Sequence, residues 1–249
     1  MNLSKMKAMI FGTVFKLVDL QHVPVPNIVI NDTVIDYCKS VRYLGVVLED
    51  TLTWSLQVSE ICKKTMIILA QLKMNGKAFS FAVRKRLVTT LIFPVFDYCA
   101  AVYTDLTAQQ QLRLQRKLNA CVRYIFKLSR FEHVTRYYKE LCWLTLSSRR
   151  TFFMSCLIYK ALYLQQKPLI SNNLQICEPR PRRGDERNDL LVVPGCHSTK
   201  YDKSFLVSAI RVWNRLPSYC TSQLTFPAFR KACFEFLLSE ENARFDHNL

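Results

Sequence analysis

Six cations fall within eighteen residues, at Arg113, Arg116, Lys117, Arg123, Lys127 and Arg130, and no Asp or Glu interrupts residues 111–130. Guanidinium and ammonium groups at this density do one kind of chemistry well. They bind phosphates, and each contact releases condensed counterions. Arg116, Arg123 and Arg130 stand seven apart, which keeps them near one line of a helical cylinder. Such a line can follow a polynucleotide backbone. A solvated basic face is the plainer explanation, but such faces ordinarily mix signs. Phosphate contact is therefore the better reading of this segment.

Catalytic constellations are thin by comparison. The four histidines, His22, His133, His197 and His247, are scattered and sit in no Ser/His/Asp or Cys/His signature. Glu49-Asp50 follows an apolar run and reads as turn chemistry rather than a metal site. Gly184-Asp-Glu186 lies in a basic linker and reads as solvent-exposed. No Walker loop and no dinucleotide fingerprint occurs. A two-metal polymerase centre needs close carboxylates on strands, and no Asp-Asp pair between apolar residues exists here. The ten cysteines are evenly spread without a Cys-x-x-Cys, and Cys177 with Cys196-His197 fits no zinc spacing. They read as buried, reduced thiols.

The basic segment needs a helix to carry it. Leu114, Leu118, Cys121, Val122 and Ile125 form an apolar stripe at helical spacing, and Thr107 can cap a helix from about Ala108 to Leu128. An earlier stripe, Val58, Ile61, Cys62, Met66, Leu69 and Leu72, predicts a helix that Asn75-Gly76 should stop. Ser80 can cap another, carrying Val83, Leu87 and Leu91, which Pro94 should kink or end. Further helices are predicted from Ser148 to Gln165, Phe205 to Trp213 (ended by Leu216-Pro217) and Phe226 to Leu238. Trp54, Trp143 and Trp213, each among apolar neighbours, read as core anchors.

The first fifty residues read instead as β structure. Ala8–Phe11 is a short apolar run, and Ile28–Ile30 and Val34-Ile35 flank Asn31-Asp32, a turn signal. Val41–Leu48 is another apolar run, where Gly45 suggests a bulge or a close backbone approach. These strands are too few for a closed sheet. Residues 168–203 hold Pro179–Gly184 and little periodicity, and read as a basic loop or linker with one apolar run, Leu190–Val193. No internal repeat is evident.

Composition sets the limits. Of 249 residues, 50% are hydrophobic and 12% aromatic, enough for a core, so wholesale disorder is excluded. Five glycines are too few for Gly-rich phosphate loops. The net charge of +16 is unevenly placed: residues 111–150 carry ten cations against two acids, whereas residues 1–50 balance at five and five. A polyanionic partner follows, most simply nucleic acid. Met1–Leu20 is broken by Gly12, Lys16 and Asp19 and does not read as a signal peptide. No apolar stretch reaches the length of a membrane span. The expectation is an intracellular protein of nucleus or cytoplasm, not secreted and not membrane-bound.

Several segments, taken in order, resemble the C-terminal part of a jockey-like non-LTR retrotransposon reverse transcriptase. Asn2–Phe11 resembles the stretch just after that family's catalytic aspartates. Val41-Arg-Tyr-Leu-Gly-Val46 with Leu52-Thr-Trp54 resembles its primer-grip hairpin and the start of the thumb. Leu91–Tyr103 and Leu114–Asn119 resemble thumb helices. Trp143-Leu with Arg149-Arg150 resembles a further element, with Thr145 in place of its proline. Ser204–Pro217 and Phe229-Arg-Lys231 resemble its C-terminal signature.

The resemblance implies a mainly α fold: a palm remnant with a primer-grip-like hairpin over 1–52, a helical thumb and following helices over 53–167, the basic loop over 168–203, and a C-terminal helical segment over 204–249. It implies that Tyr43, Leu44 and Gly45 are primer-grip-like. It places Lys5 on the triphosphate side, although Met6 stands where the family has threonine. The parent family is an RNA-directed DNA polymerase, whose catalytic carboxylates lie upstream of Met1. The chain is thus expected to be a truncated copy, inactive alone, with no cofactor of its own. Mg2+ is implied only for the full-length parent enzyme. The implied partner is the backbone of RNA or an RNA–DNA hybrid, bound without sequence choice. The competing expectation is a non-catalytic helical interaction module. It would self-associate or bind a protein through apolar surface exposed on the palm side, around Ile28–Val47.

Overall fold

The computed structural model describes residues 6–19, 22–23, 25–75, 78–166, 168–178 and 187–247. Among these, helices dominate and strands form only two two-stranded antiparallel sheets, so the fold is mainly α with small N-terminal β-hairpins. No helix among the described residues is long and apolar enough to cross a membrane.

The N-terminal part opens with a short helix, α1 (Val14–Asp19). Strands β1 (Ile28–Ile30) and β2 (Thr33–Ile35) pair with Ile30 opposite Thr33. Asn31 and Asp32 between them are both left-handed, at φ 46° and 58°, the conformation that two-residue hairpins select because it matches strand twist. Strands β3 (Ser40–Tyr43) and β4 (Val46–Glu49) repeat this plan. Their turn is Leu44-Gly45, at φ 45° and 82°. Gly45 is therefore no bulge within a strand; Val41–Leu48 is two strands, not one. The expected close approach is real. A Cβ on Gly45 would lie 3.3 Å from the Tyr98 ring.

Helix α2 (Ser55–Asn75) follows, burying Val58, Ile61, Cys62, Leu69 and Leu72. Met66 is exposed. The expected stop at Gly76 lies outside the described residues. Helix α3 (Phe81–Leu87) is capped as predicted, the Val83 N–H donating to Ser80 Oγ. It continues through a widened turn, Val88–Ile92, into α4 (Phe93–Asp97). The Phe93 N–H reaches back five residues to the Val88 carbonyl. That wider turn makes room for Pro94, whose ring would clash in a regular helix, so the chain bulges rather than stops. The buried face is one residue away from the predicted one. Arg84, Val88 and Ile92 are buried, whereas Val83 and Leu91 of the predicted stripe are exposed.

Helix α5 (Ala108–Phe126) carries all five predicted core residues inward. Thr107 caps it reciprocally with Gln110, so two otherwise orphaned N–H groups are satisfied. Helix α6 (Thr135–Leu141) precedes α7 (Leu146–Tyr163), capped by Thr145. Two short helices, α8 (Pro168–Ser171) and α9 (Thr199–Asp202), flank an isolated bridge between Ile176 and Leu191. Leu191, inside the apolar run of the basic loop, is buried. Then come α10 (Phe205–Arg215), α11 (Ser218–Thr221) and α12 (Phe226–His247).

Two hydrophobic cores result. The first joins α2, α3, α4, α5 and α6; the second joins α7, α10 and α12. The three tryptophans anchor them as expected, Trp54 and Trp143 in the first, Trp213 in the second. Helix α12 runs nine residues past its predicted end because its polar last turns have partners. Buried Glu241 accepts hydrogen bonds from the Thr145 N–H at 3.0 and 3.2 Å, and Phe245 packs against the first core.

A polar chain ties the second hairpin to the helices. The Val47 N–H donates to Gln57 Oε1 at 2.8 Å, and Gln57 Nε2 donates to Tyr103 Oη at 3.1 Å. Tyr103 Oη donates to the Tyr98 carbonyl at 3.2 Å, and Tyr98 Oη donates back to the Leu44 carbonyl at 2.5 Å. Gln57 is buried, so every one of its paired groups matters.

Candidate nucleic-acid interface

Helix α5 turns its apolar stripe to the core and therefore turns Arg116, Lys117 and Arg123 outward. Lys127 takes the left-handed conformation at the end of the helix, φ 58°, and its N–H and that of Leu128 close the last turn on Tyr124 and Arg123 carbonyls. The chain then leaves the helix axis. Arg130 is consequently not in line with Arg116 and Arg123, which corrects the expectation of one straight row. It comes back to the same place by another route, on the loop between α5 and α6.

These residues line an open cleft of about 1300 Å³. Its cations are Arg116, Lys117, Arg123, Lys127 and Arg130, joined by Lys73 of α2 and Arg84 of α3; among the described residues no carboxylate lines it. Sequence reasoning missed Lys73 and Arg84, because nothing in their spacing links them to residues 113–130. Arg113 is the predicted site residue that the fold diverts. It points to α2, its Nη2 donating to Ser59 Oγ at 3.2 Å.

Cations held in the cleft are partnered by carbonyls rather than acids. Arg84 is 6% exposed; its Nε donates to the Ile125 carbonyl at 2.8 Å and its Nη1 to the Phe79 carbonyl at 2.6 Å. Arg123 donates from Nε and Nη2 to the Glu132 carbonyl, at 3.2 and 2.9 Å. The Glu132 carboxylate turns away, accepting from Tyr137 Oη at 2.6 Å and pairing with Arg136. Among the described residues, none of the seven lining cations forms an ion pair. Carbonyl hydrogen bonds fix a guanidinium without cancelling its charge. Nor do thiolates offset it. Burial pushes the Cys121 thiol up to about 12 despite Lys73, and it raises Cys62 against the pull of Lys117 and Arg113.

Volume narrows what could fill the cleft. Small-molecule pockets run to about 1,000 Å³. A larger, open, cation-lined cleft suits an extended polyanion better. It offers phosphate contacts and few groups for reading bases.

The remaining predicted positions lie elsewhere. Tyr43 and Leu44 are 63% and 73% exposed at the tip of the second hairpin, with Gly45 beside them. None of the three lines the cleft. Lys5 lies outside the described residues. Glu49 does turn-and-cap work, accepting from the Leu56 N–H at 3.1 Å at the start of α2. Among the described residues, no three His, Cys, Asp or Glu side chains group to hold a metal ion. Comparison with models of protein families, with curated proteins and with solved structures finds no match to this chain.

Proposed function

We propose that this chain binds RNA or an RNA–DNA hybrid through the sugar-phosphate backbone, without sequence choice. It would act as the helical thumb of a jockey-like non-LTR reverse transcriptase would, in nucleus or cytoplasm. The observation that carries the reading is the cleft in which seven cations converge with no carboxylate. The ordered resemblance of the sequence to that family supports it. In this reading the chain grips and does not catalyse; Mg2+ belongs to the catalytic centre of the full-length parent enzyme.

The test is a filter-binding titration of RNA and hybrid probes against salt. Reversing charge at Arg116, Lys117 and Arg130 removes three phosphate contacts. The slope of log affinity against log salt should flatten by about three, and affinity at about 0.15 M salt should fall by about 100-fold for every sequence. Unchanged affinity and slope would overturn the reading.

A second reading, self-association, is favoured by a different observation. Phe11, Val14, Phe15, Val18, Val29 and Val34 are all 47–84% exposed in the N-terminal part, and Val29 and Val34 face each other across the first two-stranded sheet. Apolar patches rimmed by polar groups commonly mark interfaces. Sedimentation equilibrium tests it: a concentration-dependent dimer supports this reading, and a monomer at all concentrations removes it.

A further inference from the structure

We infer that Phe131 is a stacking platform for an unpaired base, so that the cleft takes a strand with a single-stranded segment in preference to a blunt duplex. The inference rests on the backbone-binding reading above and adds which form of nucleic acid the cleft selects.

Phe131 is 87% exposed, yet it lines the cation cleft directly beside Arg130. Single exposed apolar side chains are ordinary; Leu169 and Leu224 are as exposed and mean nothing by themselves. Two observations separate Phe131 from them. Its surroundings are cations that would carry a phosphate backbone past it. It also sits on a pinned loop rather than a loose one. On its N-terminal side the Leu128 N–H closes on the Arg123 carbonyl at 2.9 Å. On its C-terminal side Arg123 grips the Glu132 carbonyl, Tyr137 grips the Glu132 carboxylate, and Val134 is buried.

An aromatic face carried on a pinned loop in water beside phosphate-binding cations is what sequence-tolerant single-strand binding requires, because every base has a π-face. A base paired inside a duplex is stacked already and cannot use it. A hybrid with an unpaired overhang satisfies both the cleft and the platform.

Fluorescence anisotropy with a labelled oligouridine and a labelled blunt RNA duplex tests this, comparing wild type with Phe131→Ala and Phe131→Trp. Phe131→Ala should weaken oligouridine binding by about 5- to 150-fold, the range for losing one stacked base, with the salt slope unchanged. Blunt-duplex affinity should move less than about twofold, and Phe131→Trp should restore oligouridine binding. Because the side chain packs on little, the fold should survive, which a circular-dichroism melt checks. Equal affinity of Phe131→Ala and wild type for oligouridine would overturn the stacking role while leaving backbone binding intact. An equal loss on blunt duplex would overturn it too. Wild type that binds neither probe would overturn both.

Discussion

Tyr98 donates a hydrogen bond from its Oη to the carbonyl of Leu44 at 2.5 Å, across 54 residues of sequence. The same ring lies against Gly45, so the turn of the second hairpin is held from one side by a phenol and kept narrow by a missing Cβ.

That relationship makes a stability prediction. Tyr98→Phe removes the hydrogen bond and should cost about 1 kcal/mol. Gly45→Ala forces a side chain into left-handed backbone against the ring and should cost about 1–2 kcal/mol. Because both changes act on one contact, the double variant should lose less than the sum of the two. Urea denaturation of the four proteins measures this, and strict additivity would refute the shared clamp.

The cap of α7 gives a second prediction. Thr145 accepts from the Ser148 N–H and also meets the buried Glu241 carboxylate through its N–H and hydroxyl. Thr145→Ala should destabilise the protein by about 1–2 kcal/mol, and Thr145→Ser by far less, since serine keeps the hydroxyl. Equal losses in chemical denaturation would show that the methyl group, not the cap, matters.

Asp105 gives a pH dependence. Burial alone would raise its carboxyl, but hydrogen bonds from Lys200 and Lys203, with their charges, outweigh burial and hold it below the ordinary 3.8. Lys200 stands 2.8 Å and Lys203 3.1 Å from its oxygens. A carboxyl lowered by folding contributes stability that is complete well above 3.8 and is lost as pH falls through the folded value. Thermal melts of wild type and Asp105→Asn should therefore differ near neutrality and converge below 3.8. A constant difference at all pH values would disprove the pairing.

Thiol reactivity should divide by burial. Burial raises Cys121 and Cys233 to about 12 and Cys156 and Cys220 to about 11, while Cys142 is exposed. Since the thiolate is the reactive form, Ellman's reagent at pH 8 should label Cys142 rapidly and these four only on unfolding. Rapid labelling of all ten in the native protein would contradict the two cores.

Much of the fold could be read from spacing. Leu114, Leu118, Cys121, Val122 and Ile125 all face inward as their periodicity required, and Ser80 and Thr107 cap where short polar side chains precede apolar runs. Local signals of this sort survive because tertiary contacts agree with them. Where they failed, a long-range contact decided. The stripe Val83, Leu87, Leu91 lost to a face set by Arg84, whose guanidinium reaches a carbonyl of α5. The extra turns of α12 depend on Thr145, 96 residues away. The candidate site divides the same way. Its α5 cations were visible as an acid-free run, but Lys73, Arg84 and Phe131 come to the cleft from other elements. Arg113, although in the run, is turned aside by Ser59.

The reach of α12 has a consequence for how the chain acquires its structure during synthesis. Phe245 and Glu241 belong to contacts with residues translated about a hundred positions earlier. The α2–α6 bundle can begin to assemble while the ribosome is still at work, but Phe245, which packs on it, and the Glu241 carboxylate that seals α7 emerge only about a hundred residues later. Nascent chains stalled before residue 241 should therefore stay sensitive to protease at the start of α7, and chains extended through α12 should lose that sensitivity in one step.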